Sequence, residues 1–267
     1  MPELPEVETV RRDLATIVVG KRVLGIRGAA SAPLRRIRGL TFKNLRRRGK
    51  YLLATLGEFE LIIHLGMSGR LLAAATIPPV PHVRLVIDLE GGVHLVFVDR
   101  RRFGRVSFVR RGDYAGSPTL ARMGPEPLSA AFTKSAFGHQ LRATKAPIKS
   151  LLLNQRLVAG IGNIYADEVL HRAGIHPDRR RLTPLEAGRL HRAIRSVLAA
   201  AIHHRGTSFS LHRDGLLPPG NFGRHLRVFQ RAGQGCRKCG APILKVRLAR
   251  RSTYFCPKCQ VRERDVM

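Results

Sequence analysis

Apolar positions recur at helical spacing at the start of the chain and again beyond about residue 130, and short strand-like runs fill the stretch between. Val7, Val10, Leu14 and Ile17 share one helical face and Gly20 follows as a stop, which predicts a first helix from about 3 to 19. From 22 to 110 the pattern changes to runs rich in β-branched and aliphatic side chains, at 51–56, 59–65, 83–89, 93–98 and 106–109. Gly57-Glu58 and Gly91-Gly92 read as hairpin turns, and the Pro-rich tract 77–81 reads as a loop. Antiparallel strands of this length predict a β-sandwich with the N-terminal helix packed on it.

The strands stop near residue 112, and the Gly and Pro punctuation of 112–127 predicts a hinge into a helical domain. Helices are expected at 133–143, 147–157 and 164–172. A further one runs to about 204 from a capping box made by Thr183, Pro184 and Glu186. Residues 207–222 show no periodicity and read as a loop. There is no internal repeat. The fold class expected is α+β: an N-terminal helix-flanked β-sandwich (1–112), a hinge (113–130), a helical domain (131–225) and a C-terminal cysteine hairpin (226–267).

Charge narrows the class of partner. The 267 residues carry 48 Lys and Arg against 18 Asp and Glu, a formal charge of +30 that repels itself unless the chain works against a polyanion. Nucleic acid is the leading partner, and a hydrophobic content of 44% excludes a merely disordered basic tail. No run is long and apolar enough for a membrane span, and the acidic, amphipathic N-terminus is unlike a signal peptide. The expected setting is the cytoplasm, with no membrane partner.

All four cysteines lie near the C-terminus, as Cys236-x2-Cys239 and Cys256-x2-Cys259 with sixteen residues between the pairs. Two CxxC turns joined by a hairpin give the tetrahedral thiolate set of a structural zinc site with no open position. Disulfides are the alternative, disfavoured by the absence of an export signal. So short a segment buries little apolar surface, so metal binding would supply its folding free energy.

Pro2 is the candidate nucleophile. Removing Met1 leaves a secondary α-amine, which titrates at roughly 7.7 to 8 and is partly unprotonated near neutral pH. Condensed with an aldehyde carbon it gives a cationic iminium, an electron sink for cleaving neighbouring bonds, and Glu3 is the adjacent acid or base. The alternative is a helix start whose acids suit the macrodipole. In Gly160-Ile161-Gly162-Asn163-Ile164-Tyr165 two glycines allow a tight turn, with Asn163 at the cap of the next helix, an arrangement suited to a phosphate.

Six ordered motifs make the chain resemble the formamidopyrimidine-DNA glycosylases along nearly its whole length. They are Met1-Pro2-Glu3-Leu4-Pro5-Glu6-Val7-Glu8, Arg48-Gly49-Lys50-Tyr51-Leu52, His64-Leu65-Gly66-Met67-Ser68-Gly69, Arg101-Arg102-Phe103-Gly104, the 160–165 turn with Ala166-Asp167-Glu168, and the four-cysteine finger. The resemblance implies a sandwich, a helix-two-turn-helix domain and one zinc finger, acting as a monomer on double-stranded DNA that carries oxidised purines or abasic sites in a bacterial cytoplasm. It implies that Pro2 attacks C1′, Glu3 moves protons, Lys50 donates one near the sugar, and Arg251 enters the groove and assists the second elimination. Met67, Arg101 and Phe103 would fill the gap left by the everted nucleotide. His64, His82, Lys149 and Asn163 would contact the backbone, and Lys145 would stand in for a family lysine displaced by one position. Thr144, Asn154 and Asn221 depart from the family's usual residues.

Three rival readings stand beside the resemblance, two on its motifs and one on charge and zinc spacing alone. The sister glycosylase for oxidised pyrimidines usually starts Pro-Glu-Gly, against Leu4 here. A noncatalytic DNA-binding relative would have lost Pro2, Glu3 or Lys50. A basic ribosomal protein leaves the N-terminal motif unexplained.

Overall fold

A computed structural model describes residues 2–28, 32–77, 79–207 and 219–262. The chain divides into two compact units, residues 1–121 with 205–220, and residues 122–204 with 221–267.

The first unit is the expected sandwich. Helix α1 (Leu4–Val18) opens with the Glu3 amide donating to Glu6 Oε2 at 2.8 Å and Pro5 in the first turn. It ends where Gly20 takes φ +88°, which lets the Gly20 N–H reach the Phe42 carbonyl at 2.8 Å. Eight strands follow: β1 (Val23–Gly28), β2 (Phe42–Arg48), β3 (Tyr51–Leu56), β4 (Phe59–His64), β5 (Gly69–Ala74), β6 (Val83–Leu89), β7 (Val93–Asp99) and β8 (Arg105–Arg110). They form two antiparallel sheets, β1-β6-β7-β5 and β2-β3-β4-β8.

Alternation along the strands sends Leu52, Ala54 and Leu56 of β3, Leu61 and Ile63 of β4, and Leu85, Ile87, Leu95 and Phe97 of β6 and β7 into one core. Val7, Val10, Leu14 and Val18 of α1 join it, at about 1.5–3 kcal/mol for each buried aliphatic side chain. The 77–81 loop also has a packing role: Ile77 and Val80 cover Val86, Val96 and Val98 on the opposite face of the second pair of strands.

Sequence patterning missed β1, β2 and β5. All three are edge strands, and β2 (Phe-Lys-Asn-Leu-Arg-Arg-Arg) buries only Phe42 and Leu45. A register shift between Phe42 and Asn44 further breaks its alternation. The segment after β8 is held by Tyr114, whose hydroxyl donates to the fully buried Glu60 at 2.7 Å while Arg46 pairs with the same carboxylate at 2.6 Å.

The second unit holds the remaining helices and the finger. After the short α2 (Pro118–Ala121) of the first unit come α3 (Lys134–Arg142), α4 (Ile148–Leu153), α5 (Asn163–Ala173) and α6 (Pro184–His203), then β9 (Leu244–Leu248) and β10 (Arg251–Phe255) paired as one hairpin. The Thr183–Glu186 capping box is present, with both reciprocal bonds at 3.2 and 2.7 Å. Helix α4 is shorter than the expected 147–157 because Asn154 leaves the helical region and Gln155 organises the turn that follows. Its amide donates to the carbonyls of Leu153 and Ile161 and accepts from the Gly160 N–H. Within the first unit, Arg205 pairs with Asp13 at 2.6 Å and Thr207 donates twice to Glu6. Among the described residues no helix is long and apolar enough to cross a membrane.

Candidate functional site

The N-terminal residues are held by buried acids. Pro2 and Glu3 are both buried at the head of α1, and Glu6 uses its two oxygens in opposite directions, Oε2 accepting from the Glu3 amide and Oε1 from the Thr207 amide at 2.8 Å. Gly206 allows that approach, since a Cβ there would lie 2.6 Å from Glu6 Oε1. One turn further on, Glu8 meets Arg11, Arg12 and Arg47 at 2.9, 2.9 and 3.1 Å. Burial pushes its carboxyl up, but the three guanidiniums more than offset this and leave it below the usual range. Because Arg47 also donates to the Gly49 carbonyl at 3.2 Å, Glu8 ties α1 to the β2–β3 turn that carries Lys50, itself only 8% exposed.

Lys50 and His64 lie at the same end of the sheet. Tyr51 and His64 are cross-strand partners with rings 4.6 Å apart, and burial followed by the charges of Lys50 and Arg105 lowers the His64 pKa to about 4. Its Nδ1 accepts the Gly66 N–H at 3.1 Å. The ring is therefore neutral at physiological pH, with Nε2 bearing the proton as a donor.

Two turns beyond it present apolar side chains to solvent. Met67 is 42% exposed and Phe103 50% exposed, while the guanidinium of Arg101 lies 4.8 Å from the centre of the Phe103 ring. A buried acid that sequence reasoning missed fixes both turns. Asp99, 1% exposed, accepts from the Ser68 hydroxyl at 2.6 Å, the Arg101 N–H at 3.2 Å and the Gly104 N–H at 2.6 Å. The turns interlock through Gly66, where a Cβ would stand 2.5 Å from the Phe103 carbonyl carbon. His82, exposed and at φ +68°, adjoins them through its carbonyl, which accepts the Asp99 N–H at 3.0 Å. The only signal for Asp99 in sequence was its place just before the Arg100-Arg101-Arg102 run.

In the second unit, residues expected to reach DNA turn inward. Lys149 is 2% exposed, and its ammonium meets Asp167 at 2.7 Å, Thr253 Oγ1 at 2.8 Å and the Ser252 carbonyl at 3.0 Å. Through these partners Lys149 holds β10 against α4 and α5. The cap position expected for Asn163 is corrected, for Gly162 is the cap residue and Asn163 the first helical one; its Nδ2 donates to the same Ser252 carbonyl at 2.9 Å. Asp167 receives the Tyr254 N–H at 3.0 Å, and burial pushes its pKa up to about 7 against the pull of Lys149. Glu168 accepts three consecutive backbone N–H groups, from Arg227, Val228 and Phe229. Arg251, next to the clamped carbonyl, is exposed beside a turn in which Ala249 and Arg250 both have positive φ, and Lys145 is exposed before α4.

The four Sγ atoms of Cys236, Cys239, Cys256 and Cys259 lie within 4.8 Å of one another, compatible with the roughly 3.8 Å edge of a tetrahedron with 2.3 Å Zn–S bonds. The N–H groups of Lys238 and Cys259 donate to sulfur at 3.4 Å. Burial and the neighbouring thiols push Cys259 up to about 12, so a cation is needed for all four to ionise together. The donor set fits zinc.

Residues 1–106 match the formamidopyrimidine-DNA glycosylase N-terminal domain, 123–212 the corresponding H2TH domain, and 233–261 the zinc finger found in FPG and IleRS. The chain belongs to the formamidopyrimidine-DNA glycosylase family. It is 46% identical to the formamidopyrimidine-DNA glycosylase of Symbiobacterium thermophilum over 97% of this chain and 89% of that one. The crystal structure of MutM (Fpg) from Thermus thermophilus superposes with a TM-score of 0.89 at 46% identity, covering 97% and 98% of the two chains. A Lactococcus lactis FPG mutant in complex with Fapy-dG DNA gives 0.91 at 36% identity, covering 98% and 100%.

Two of the departures from the usual formamidopyrimidine-DNA glycosylase residues are explained locally. Asn154 Oδ1 accepts the Arg156 N–H at 3.0 Å, as an aspartate would. Thr144 Oγ1 likewise accepts the Ala146 N–H at 3.2 Å. Asn221 is exposed and bonds His204 Nδ1 at 2.9 Å through its side chain. Residues 208–218 of the loop lie outside the described residues.

Proposed function

We propose that this chain is a bifunctional DNA glycosylase and abasic-site lyase for oxidised purines, using Pro2 as nucleophile once Met1 is removed. The observation that carries the reading is the exposed Met67, Arg101 and Phe103 group on two turns fixed by buried Asp99. An apolar thioether and ring held in solvent stabilise nothing in the free protein, but they can stack where a nucleotide has left the duplex and offset part of the few kcal/mol that eversion costs.

The chemistry follows from the residue types. The Pro2 nitrogen attacks C1′, forming C–N as the C1′–N9 bond breaks, and the purine leaves with a proton. The proline nitrogen loses its own proton, C1′–O4′ opens with O4′ protonated, and the product is an iminium. Removal of a C2′ proton expels the 3′ phosphate, a second elimination expels the 5′ phosphate, and water releases Pro2. Glu3 is the group that moves protons at C2′ and O4′, and Lys50 supplies a proton beside the sugar. Neutral His64 donates Nε2–H to the backbone, with His82, Lys145 and Asn163 as further backbone contacts. Lys149 acts by holding β10, and Arg251 assists the second elimination.

One zinc per chain, held by the four cysteines, organises the finger and takes no part in the steps. The enzyme works as a monomer on double-stranded DNA in the bacterial cytoplasm. The test is excision from duplexes carrying 8-oxoguanine, a formamidopyrimidine or an oxidised pyrimidine: the two purine lesions should be released and nicked, and Glu3→Gln should bind them with base release lost. Release of the pyrimidine lesion alone would transfer the chain to the sister activity.

A further inference from the structure

The excess of positive charge has a second focus, away from the residues used above. An open groove of about 730 Å³ is bounded by the C-terminal end of α5, the last turns of α6 and the segment leading into the first cysteine turn. Arg172, Arg227, Arg237, Lys238, His204 and His225 line it. Among the described residues that line it Glu168 is the only acid, and its two oxygens already accept three backbone N–H groups. Arg172, Arg227 and Lys238 make no salt bridge among the described residues. Arg237 is steadied by donating to the Arg224 carbonyl at 2.8 Å.

We propose that this groove is a binding site for closely spaced phosphates. Four permanent cations converge on one concavity whose single lining carboxylate, buried Glu168, feels the charge of Arg227 but leaves three cations in excess, an arrangement whose self-repulsion is relieved by a polyanion. Their field registers on the neighbours. His225 is held below its usual range by slight desolvation and by the charges of His204, Arg237 and Arg227, and Arg231 is lowered by burial and by Arg237. The rings of His204 and His225, with centroids 4.1 Å apart and planes tilted by 32°, offer aromatic faces to a base attached to such phosphates. The shared chemistry is an oligophosphate, supplied either by a nucleoside polyphosphate or by a nucleic-acid backbone.

Isothermal titration of the zinc-loaded full chain with inorganic tripolyphosphate at low salt tests this. Saturable binding is expected, weakened at least about tenfold in R227E/K238E, a loss of about 1.4 kcal/mol. R35E/R36E, an equal change of charge on the exposed short helix Ala32–Ile37, should have a much smaller effect. R227Q/K238Q gives the same ordering if charge reversal impairs folding. Equal losses at both places, or no saturable binding by the native chain, would overturn the site. Repeating the titration with an abasic-site duplex bound distinguishes the sources: retained binding assigns the groove to a free oligophosphate, and abolished binding assigns it to the DNA backbone.

Discussion

The turns of the sandwich and the hairpin of the finger solve the same problem in opposite ways. In the sandwich, Asp99 is buried and engages backbone groups, leaving Met67, Arg101 and Phe103 outside. At the finger, the long polar side chains themselves go inside: Lys149, Asp167 and Glu168 are buried at 2%, 0% and 3% exposure and Asn163 turns to Ser252, leaving Arg251 outside. The reason lies in what each region can bury. The sandwich has a core that runs through both sheets and α1, whereas the finger's own cluster is Val228, Cys236, Ile243, Tyr254 and Cys256. A region with so small a cluster leans on polar links to hold β10, and a metal on its four cysteines would add to them.

Metal removal should break the comparison most sharply. Chelation of zinc from the reduced protein should unfold 236–259 and remove most DNA affinity, while amide exchange in β3, β4, β6 and β7 stays slow. Loss of protection throughout the sandwich would mean that the two regions do not differ as described.

Next in size is the buried pair. Lys149→Met leaves Asp167 buried without its cation and should cost about 3–5 kcal/mol in the second unit, read by denaturant unfolding. Lys149→Met with Asp167→Leu should recover part of this stability, because no charge is left unpaired. A direct phosphate contact by Lys149 would instead leave stability unchanged and lower the salt dependence of binding.

Asp99→Ala leaves the Gly104 N–H and the Ser68 hydroxyl without their acceptor, the Arg101 N–H keeping Ser68 Oγ at 3.2 Å, and should cost about 1–3 kcal/mol. Excision should fall more than binding of undamaged DNA, since only the lesion complex needs the two turns in register. The smallest effect is expected at Arg101. A guanidinium can donate to both N3 and O2 of an unpaired cytosine but meets a donor at adenine N6, so cytosine opposite the lesion should be favoured by about 1–3 kcal/mol. Arg101→Ala should narrow the cytosine-to-adenine ratio in single-turnover excision.

How much of this was legible in the sequence follows the same division. Helix α1 and strands β3, β4, β6 and β7 announce themselves because each presents a run of buried apolar residues, and the cysteine spacing reports its own geometry. Edge strands β1, β2 and β5 bury too few side chains to leave a period. Pro2, Glu3, Lys50 and the exposed Met67, Arg101 and Phe103 group were named from motifs. Residue type gives no direction, however: nothing in Ile148-Lys149-Ser150 tells that the lysine points into the fold, and the place of Asp99 before an arginine run does not reveal its three donors.

The central claim is that the amine of Pro2 forms the covalent link to DNA, and the most direct test is borohydride trapping on an abasic-site duplex followed by peptide mapping of the adduct. The account predicts a chain lacking Met1 with the reduced sugar on the Pro2 nitrogen. An adduct on a lysine, or a normal yield from protein that retains Met1, would contradict it.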